Sequence, residues 1–113
     1  MERQDVLTAL SNHVGVKNGI SARALATHIT GEATPAAERR LRTLIVALRC
    51  EGVPICGRPT SGYYIASTSD EVIASCMWLR SRAMTSLITI SRLTQIAVPE
   101  LMGQISLELE KAS

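Results

Sequence analysis

The sequence predicts a mainly α-helical fold with a two-stranded β-hairpin, an α+β arrangement, and three observations favour it. Apolar residues recur at helical spacing through the first half of the chain. Residues 57–62 form a turn-rich stretch between two short segments typical of strands. A helix start signal at residues 68–71 then opens a long apolar stretch. We therefore expect a three-helix core with a hairpin over residues 1–67 and a helical extension over residues 68–113.

Composition indicates one domain and locates its positive charge. The 113 residues suffice for a core, which must be built without Phe because the chain has none. A formal net charge of +2 does not by itself indicate a nucleic-acid partner. Residues 36–69, however, carry five Arg and two Glu, whereas residues 100–113 carry three Glu and one Lys. Positive charge is thus concentrated in the third helix and the hairpin.

The first two helices are predicted at Gln4–Val14 and Ala22–Ile29. Ser21 is an N-cap candidate for the second helix. Ile20, just before that cap, is expected to pack as a short strand or as a hydrophobic staple. The first helix presents one apolar stripe, formed by Val6, Leu7, Leu10 and Val14.

The third helix is predicted from Pro35 to about Cys50. Thr34 supplies an N-cap hydroxyl, and proline fits the first helical position. At about 100° per residue, the face opposite the apolar stripe is rich in Arg, with only Glu38 and Glu51 nearby to neutralise it. The stripe expected to pack on helices one and two consists of Leu41, Leu44, Ile45 and Leu48.

The hairpin is predicted to follow this helix directly. Its first strand begins at Pro54 and Ile55, a basic turn holds Arg58, and a second strand contains Tyr63 and Tyr64. Because side chains alternate along a strand, one tyrosine should lie in the core and the other on the surface. A helix, a strand, a basic turn and a strand in this order are typical of the wing in winged-helix proteins.

The C-terminal region is predicted to be helical and to form a homodimer through residues 70–111. The capping box at residues 68–71 starts a helix, Asp70 to about Ala97, that would be roughly 40 Å long. Such a helix is longer than a small domain can cover, which favours a second copy of the chain as its partner. The alternative is an intramolecular pair, in which the C-terminal helices close over the first helix. The expected dimer residues are Ile73, Met77, Met84, Leu87 and Ile88. A second helix opened by Pro99 carries the stripe Leu101, Met102, Ile105 and Leu109.

The stretch Ile45–Ile65, which contains ALRCEGVPI and then GYYI, resembles the third helix and wing of the biotin-repressor class of winged-helix proteins. The stretch Ile20–Ile29, ISARALATHI, is similar to the preceding helix of that class. The resemblance covers about residues 5–66 and implies a helix-turn-helix DNA-binding domain. The segment before Leu41 is several residues longer than in that class. No biotin-ligase domain follows, so that enzymatic activity is not implied.

Residues 62–87 also look like small helix-turn-helix proteins of phages and prophages, in which a short wing leads into one long helix.

This resemblance and the charge pattern imply contacts with double-stranded DNA. Arg39, Arg40, Arg42 and Thr43 would enter the major groove, where Arg reads guanine edges. Arg58 would reach a phosphate or the minor groove from the wing. Solvated surface positions are the alternative for all of them, and also for Lys17 and Arg23, which could touch phosphates.

Other chemistries find little support in the sequence. His13 and His28 have no Cys or carboxylate neighbour at ligand spacing, so we expect no metal site. No catalytic constellation, phosphate-binding loop, cofactor motif or small-molecule site is indicated, and we expect no enzyme activity. Three Cys without CxxC spacing and a polar start without a signal peptide favour a cytoplasmic protein with reduced thiols, and no apolar run suits a membrane.

The expected function is a sequence-specific DNA-binding regulator of transcription, of bacterial, phage or prophage origin, that acts as a homodimer. One alternative is a phage replication or origin-binding accessory factor. Another is a winged-helix adaptor that binds proteins and not DNA.

Overall fold

A computed structural model describes residues 1–112, with side chains as far as Glu108. The chain divides into two compact units, Met1–Ser75 and Cys76–Ser113. No helix in the described part combines the length and the apolar character needed to cross a membrane. In chain order the elements are α1 (Arg3–Leu10), a 3-10 turn (Val16–Asn18), α2 (Ala22–Thr30), α3 (Pro35–Cys50), β1 (Ile55–Arg58), β2 (Gly62–Ile65), α4 (Ser69–Thr94) and α5 (Val98–Ala112). The protein is therefore mainly helical with one small antiparallel sheet, as the sequence predicts.

The core of the N-terminal unit lies between α1, α2 and α3. All four residues of the predicted α3 stripe are buried, which confirms the predicted orientation of this helix. Ile55 of β1 closes the same cluster. The other buried residues of the cluster are Val6, Ala9, Leu10, Leu25 and Ala26.

Two predicted N-caps are confirmed and set where α2 and α3 begin. The Ser21 hydroxyl accepts a hydrogen bond from the Ala24 amide, at 3.1 Å. The Thr34 hydroxyl accepts one from the Ala37 amide, also at 3.1 Å. Each bond satisfies an amide that the helix itself leaves without a partner, so these residues define the entry to both helices.

Helix α1 ends at Leu10, and the prediction that it continues to Val14 is wrong. The Ser11 hydroxyl donates to the Thr8 carbonyl, 2.6 Å away, in the turn that closes the helix. Val14 is 42% exposed and forms an isolated parallel bridge with Ile65. Pairing with β2 replaces the last helical turn, an interaction between distant residues that helical periodicity does not reveal.

The hairpin is extended by a third short segment from the start of the chain. Strands β1 and β2 pair in antiparallel register from Ile55 opposite Ile65 to Arg58 opposite Gly62. On the other edge of β2, the Ile20 amide donates to the Tyr63 carbonyl at 2.8 Å, and the Tyr63 amide donates back at 2.7 Å. The short-strand expectation for Ile20 is therefore confirmed.

Two glycines allow this third segment to approach the hairpin turn. A Cβ atom on Gly19 would lie 1.8 Å from the Ser61 carbonyl oxygen. A Cβ atom on Gly62 would lie 2.4 Å from the Ile20 carbonyl, and Gly62 has a φ of +72°. Both positions therefore need glycine, one for space and the other for space and conformation.

Both faces of the hairpin are covered, so the expectation of one tyrosine on the surface is wrong. Tyr63 is half-buried and packs against the three-helix core. Tyr64 lies on the opposite face and is 3% exposed. Burial raises the pKa of Tyr64 above its ordinary value of 10.0, and Cys56 and Glu71 add to the shift.

The start of α4 is tied to the N-terminal unit by the carboxylate of Glu71. Its amide donates to the Thr68 hydroxyl at 3.3 Å, which is the forward half of the predicted capping box. One oxygen of its carboxylate accepts from the Ser67 amide (2.7 Å) and hydroxyl (2.8 Å), and the other accepts from the Val16 amide (2.8 Å). We call this set of bonds the Glu71 clasp.

Helix α4 ends at Thr94, three residues before the predicted end at Ala97. Gln95 adopts a left-handed backbone with φ of 60°, which terminates the helix. Helix α5 begins at Val98, and Leu101 is buried, whereas the other described members of its predicted stripe, Met102 and Ile105, are about half exposed. The Leu109 side chain, also assigned to that stripe, lies outside the described residues.

We expect the Glu71 clasp to make stability depend on pH. Hydrogen bonds from the Ser67 amide, the Val16 amide and the Ser67 hydroxyl lower the pKa of Glu71. The ionised carboxylate therefore stabilises the folded state above 4.5, its ordinary pKa, and this contribution is lost as pH falls through the lower pKa of the folded protein. Urea unfolding between about pH 7 and pH 3 should show a smaller pH dependence for Glu71→Gln than for the parent.

Glu32→Gln is the matched control, because the carboxylate of Glu32 accepts none of the described hydrogen bonds and the residue is exposed. It should retain the parental pH dependence. Equal pH profiles for the parent and Glu71→Gln would contradict the assignment of the clasp.

Candidate nucleic-acid interface

Helix α3 presents a basic surface on the side opposite its buried stripe. We call this surface, defined by Arg39, Arg40, Arg42, Thr43 and Val46, the arginine face. All five residues are exposed. At about 100° per residue, Arg39 and Val46 lie at the centre of the face, Arg42 and Thr43 flank them, and Arg40 lies at the margin. The structure thus brings the four predicted α3 residues together on one outward surface.

The charges of the arginine face are not neutralised by the rest of the described molecule. Among the described side chains, the one ion pair joins Arg3 to Glu51 at the far end of α3. The guanidinium groups of Arg39, Arg40 and Arg42 make none of the described hydrogen bonds or ion pairs. Three cationic groups with their donors unused form a surface suited to phosphate oxygens and guanine edges.

The hydroxyl of Thr43, a residue predicted to enter the major groove, is engaged within α3. The hydroxyl donates to the carbonyl of Arg39, one turn earlier, at 3.1 Å. This bond is common for threonine inside a helix and occupies the donor. Thr43 therefore lies on the arginine face as predicted, with its hydroxyl turned to the backbone.

Arg49 has a structural role that the sequence did not reveal. Its Nε atom donates to the Ile55 carbonyl at 2.7 Å, which joins the last turn of α3 to β1. One of its terminal nitrogens lies 3.6 Å from the position of a Cβ atom on Gly57. Arg49 thus holds the hairpin against α3. Its place in the last helical turn was visible in the sequence, but its partner was not.

Arg58 does not extend from the hairpin turn as the sequence predicts. Its Nη2 atom donates to the Ala74 carbonyl in α4 at 2.9 Å. Its Nε atom is buried and has no hydrogen-bond partner among the described residues. The side chain is folded against the second turn of α4, so the prediction that the wing offers this charge to DNA is not supported by its position.

The other basic residues of the N-terminal unit lie on its surface. Lys17 is exposed in the 3-10 turn, and Arg23 is exposed in the first turn of α2. Arg23 lines an open depression on α2 with Ser21, Thr27 and His28. The Lys17 ammonium and the Arg23 guanidinium make none of the described hydrogen bonds or ion pairs.

The residues predicted to form a dimer lie along α4 and differ in exposure. Ile73 is 58% exposed, Met77 56% and Ile88 39%. Met84 and Leu87 are half-buried. Leu79, Ile90 and Leu93 are further exposed apolar residues of this helix. Of the predicted dimer residues, Met77 and Ile88 lie on one side of α4 and form an exposed apolar surface typical of an interaction site, whereas Leu93 lies about 160° around the helix from Met77.

The described residues contain no group of three or more His, Cys, Asp and Glu side chains that could hold a metal ion. Cys50, Cys56 and Cys76 are free thiols, and Cys56 is the buried one. Its sulfur lies 3.8 Å from the Glu71 carbonyl oxygen, next to Tyr64, in a structural position between the hairpin and α4.

No protein-family model, curated protein or solved structure matches this chain. The functional assignment therefore depends on the residues and the geometry described above.

Proposed function

We propose that this chain is a winged-helix protein that binds double-stranded DNA in a sequence-specific manner and acts as a cytoplasmic transcription regulator of a bacterium, phage or prophage. One observation carries the proposal: Arg39, Arg40 and Arg42 are exposed together on α3, and none is paired among the described residues. The order of α2, a turn, α3 and a hairpin supports it, because α3 is then in the position of a recognition helix.

In this proposal α3 lies in the major groove with the arginine face towards the bases. Arg39, at the centre, would donate two hydrogen bonds to O6 and N7 of a guanine. Arg40 and Arg42, at the edges, would contact a base or the phosphates on either side. Lys17 and Arg23 would add phosphate contacts. Arg58 has no direct role, because its guanidinium is directed at α4.

We further propose that α4 and α5 form a two-fold homodimer. The exposed apolar residues of α4 favour a partner that is also apolar, and the charges favour a second copy of this chain. Arg80, Arg82 and Arg92 are exposed on α4, whereas Glu100 and Glu108 are exposed on α5, so two copies can pair opposite charges. Glu110 is a third acidic residue of this helix, but its side chain lies outside the described residues. A dimer would place two α3 helices about one DNA turn, or ~34 Å, apart.

A protein-binding adaptor is the second candidate, and the exposed apolar surface of α4 favours it. In that case the arginine face would be a solvated surface and α4 would bind a different protein. The two candidates differ in their response to salt, because DNA binding releases counterions and an apolar contact does not.

We expect Arg39→Ala and Arg42→Ala each to weaken binding to a selected duplex by roughly 1–3 kcal/mol, because each removes donors to a base edge. Both side chains are exposed, so thermal unfolding should be almost unchanged. Leu44→Ala is the contrasting variant, since it opens a cavity in the core and should lower the free energy of unfolding by about 2–5 kcal/mol. Parental affinity in both arginine variants would exclude the arginine face as the DNA-binding surface.

We expect Arg58 and Arg40 to differ in their effect on the salt dependence of binding to random duplex. Arg40→Ala should reduce the slope of log affinity against log salt by roughly one unit, as a lost phosphate contact does. Arg58→Ala should leave the slope unchanged and instead lower the free energy of unfolding by about 1 kcal/mol, because the Ala74 carbonyl loses its donor. A slope reduced by one unit in Arg58→Ala would show that this residue leaves α4 to contact DNA. No salt dependence in the parent would favour the adaptor.

We expect light scattering at micromolar concentration to give the mass of a dimer. Met77→Glu should convert the dimer to monomers with an intact fold and weaken duplex binding, because it buries a charge in an apolar interface. Leu93→Glu is the matched control. Leu93 is 80% exposed and lies about 160° around α4 from Met77, away from the proposed interface, so the dimer should persist. A monomeric parent would contradict the proposal.

A further inference from the structure

The centre of the arginine face holds one apolar residue, Val46, beside Arg39. Val46 is 57% exposed, although the remaining valine and isoleucine residues of the third helix and of β1 are buried. It lies almost directly opposite the buried stripe, two turns after Arg39 and between the flanking positions of Arg42 and Thr43. A partner that contacts this surface therefore meets a branched hydrocarbon side chain among cationic groups.

Thr43 enlarges the apolar part of this surface. Its hydroxyl donates to the Arg39 carbonyl, and its methyl group is free to contact a partner. Thr43 and Val46 are three positions apart and are neighbours on a helix surface. Together they form a small patch of methyl groups, which we call the methyl patch, surrounded by arginine side chains.

We infer that the methyl patch reads thymine in the major groove, beside a guanine that is read by an arginine. This inference deepens the proposed DNA-binding function and depends on it. Thymine presents a C5-methyl group in the major groove, and apolar side chains contact it there. Phosphate and sugar contacts would not use such a patch, because they need donors and lie at the margins of a recognition helix.

The test compares thymine with deoxyuridine, which lacks only the C5-methyl group. A tight-binding duplex is first selected from random sequences with the full-length protein, and each thymine in it is then replaced singly by deoxyuridine. At one or more positions per half-site the parent should lose about fourfold in affinity, the factor for burying one methyl group. Val46→Ala should bind the original duplex more weakly and lose the preference for thymine at that position.

Two further variants separate the methyl patch from other effects. Thr43→Ser keeps a hydroxyl and lacks the methyl group, so its preference for thymine should fall, whereas Thr43→Val should retain that preference. Val16→Ala is the control for shortening an exposed valine outside α3, since Val16 is 43% exposed, and it should match the parent. Circular dichroism confirms that each variant is folded.

Two outcomes would overturn the inference while leaving the proposed function in place. One is tight binding to the selected duplex with no loss at any deoxyuridine position, and the other is unchanged discrimination in Val46→Ala. If the parent binds no duplex even at low salt, the proposed function itself fails and the inference fails with it.

Discussion

Burial of one face of α3 is the constraint on which the rest of the N-terminal unit depends. Four residues of α3 are almost completely inaccessible to solvent: Leu41, Leu44, Ile45 and Leu48. Because these side chains are buried, the helix can adopt only one rotation about its own axis. The arginine face points outwards because the opposite face must be buried, and no interaction of the arginines themselves is needed to hold it there. The surface proposed to contact DNA is therefore a consequence of core packing, and its rigidity comes from that core.

The hairpin is held by contacts with several parts of the N-terminal unit and belongs to the same compact unit as the three helices. Arg49 joins it to α3, Ile20 joins its second strand to the start of the chain, and the Glu71 clasp holds the first turn of α4 close to it. Arg58 is used in this framework, because its guanidinium spans from β1 to α4. Arg58, which the sequence places in a basic turn, therefore stabilises the packing of the hairpin on α4. The exposed positive charge is carried by the neighbouring helix α3.

The features that the sequence predicted correctly are those determined within a few residues. The caps at Ser21 and Thr34 follow from local hydrogen bonding, and the α3 stripe follows from the helical period. The outward position of Arg39 follows in turn from the stripe.

The features that were missed depend on partners distant in the chain. Val14 pairs with Ile65, the Glu71 carboxylate accepts from Val16, and Arg58 meets Ala74. Within the candidate site, exposure was predictable for the α3 residues, whereas the use of the Thr43 hydroxyl and the direction of Arg58 required the tertiary structure.

The contact between the Gly19–Ile20 segment and the hairpin has a consequence for the order of folding. Helices α1, α2 and α3 follow one another in the chain, and the packing of α2 on α1 and on α3 closes only short loops. Pairing of Ile20 with Tyr63 closes a loop that contains both α2 and α3, which carries a larger entropic cost before any contact is gained. We therefore expect the helices to be largely assembled in the folding transition state and the hairpin to dock late. Substitutions at Gly19 or Gly62 would then act chiefly on the unfolding rate, whereas substitutions at Leu44 would slow folding itself.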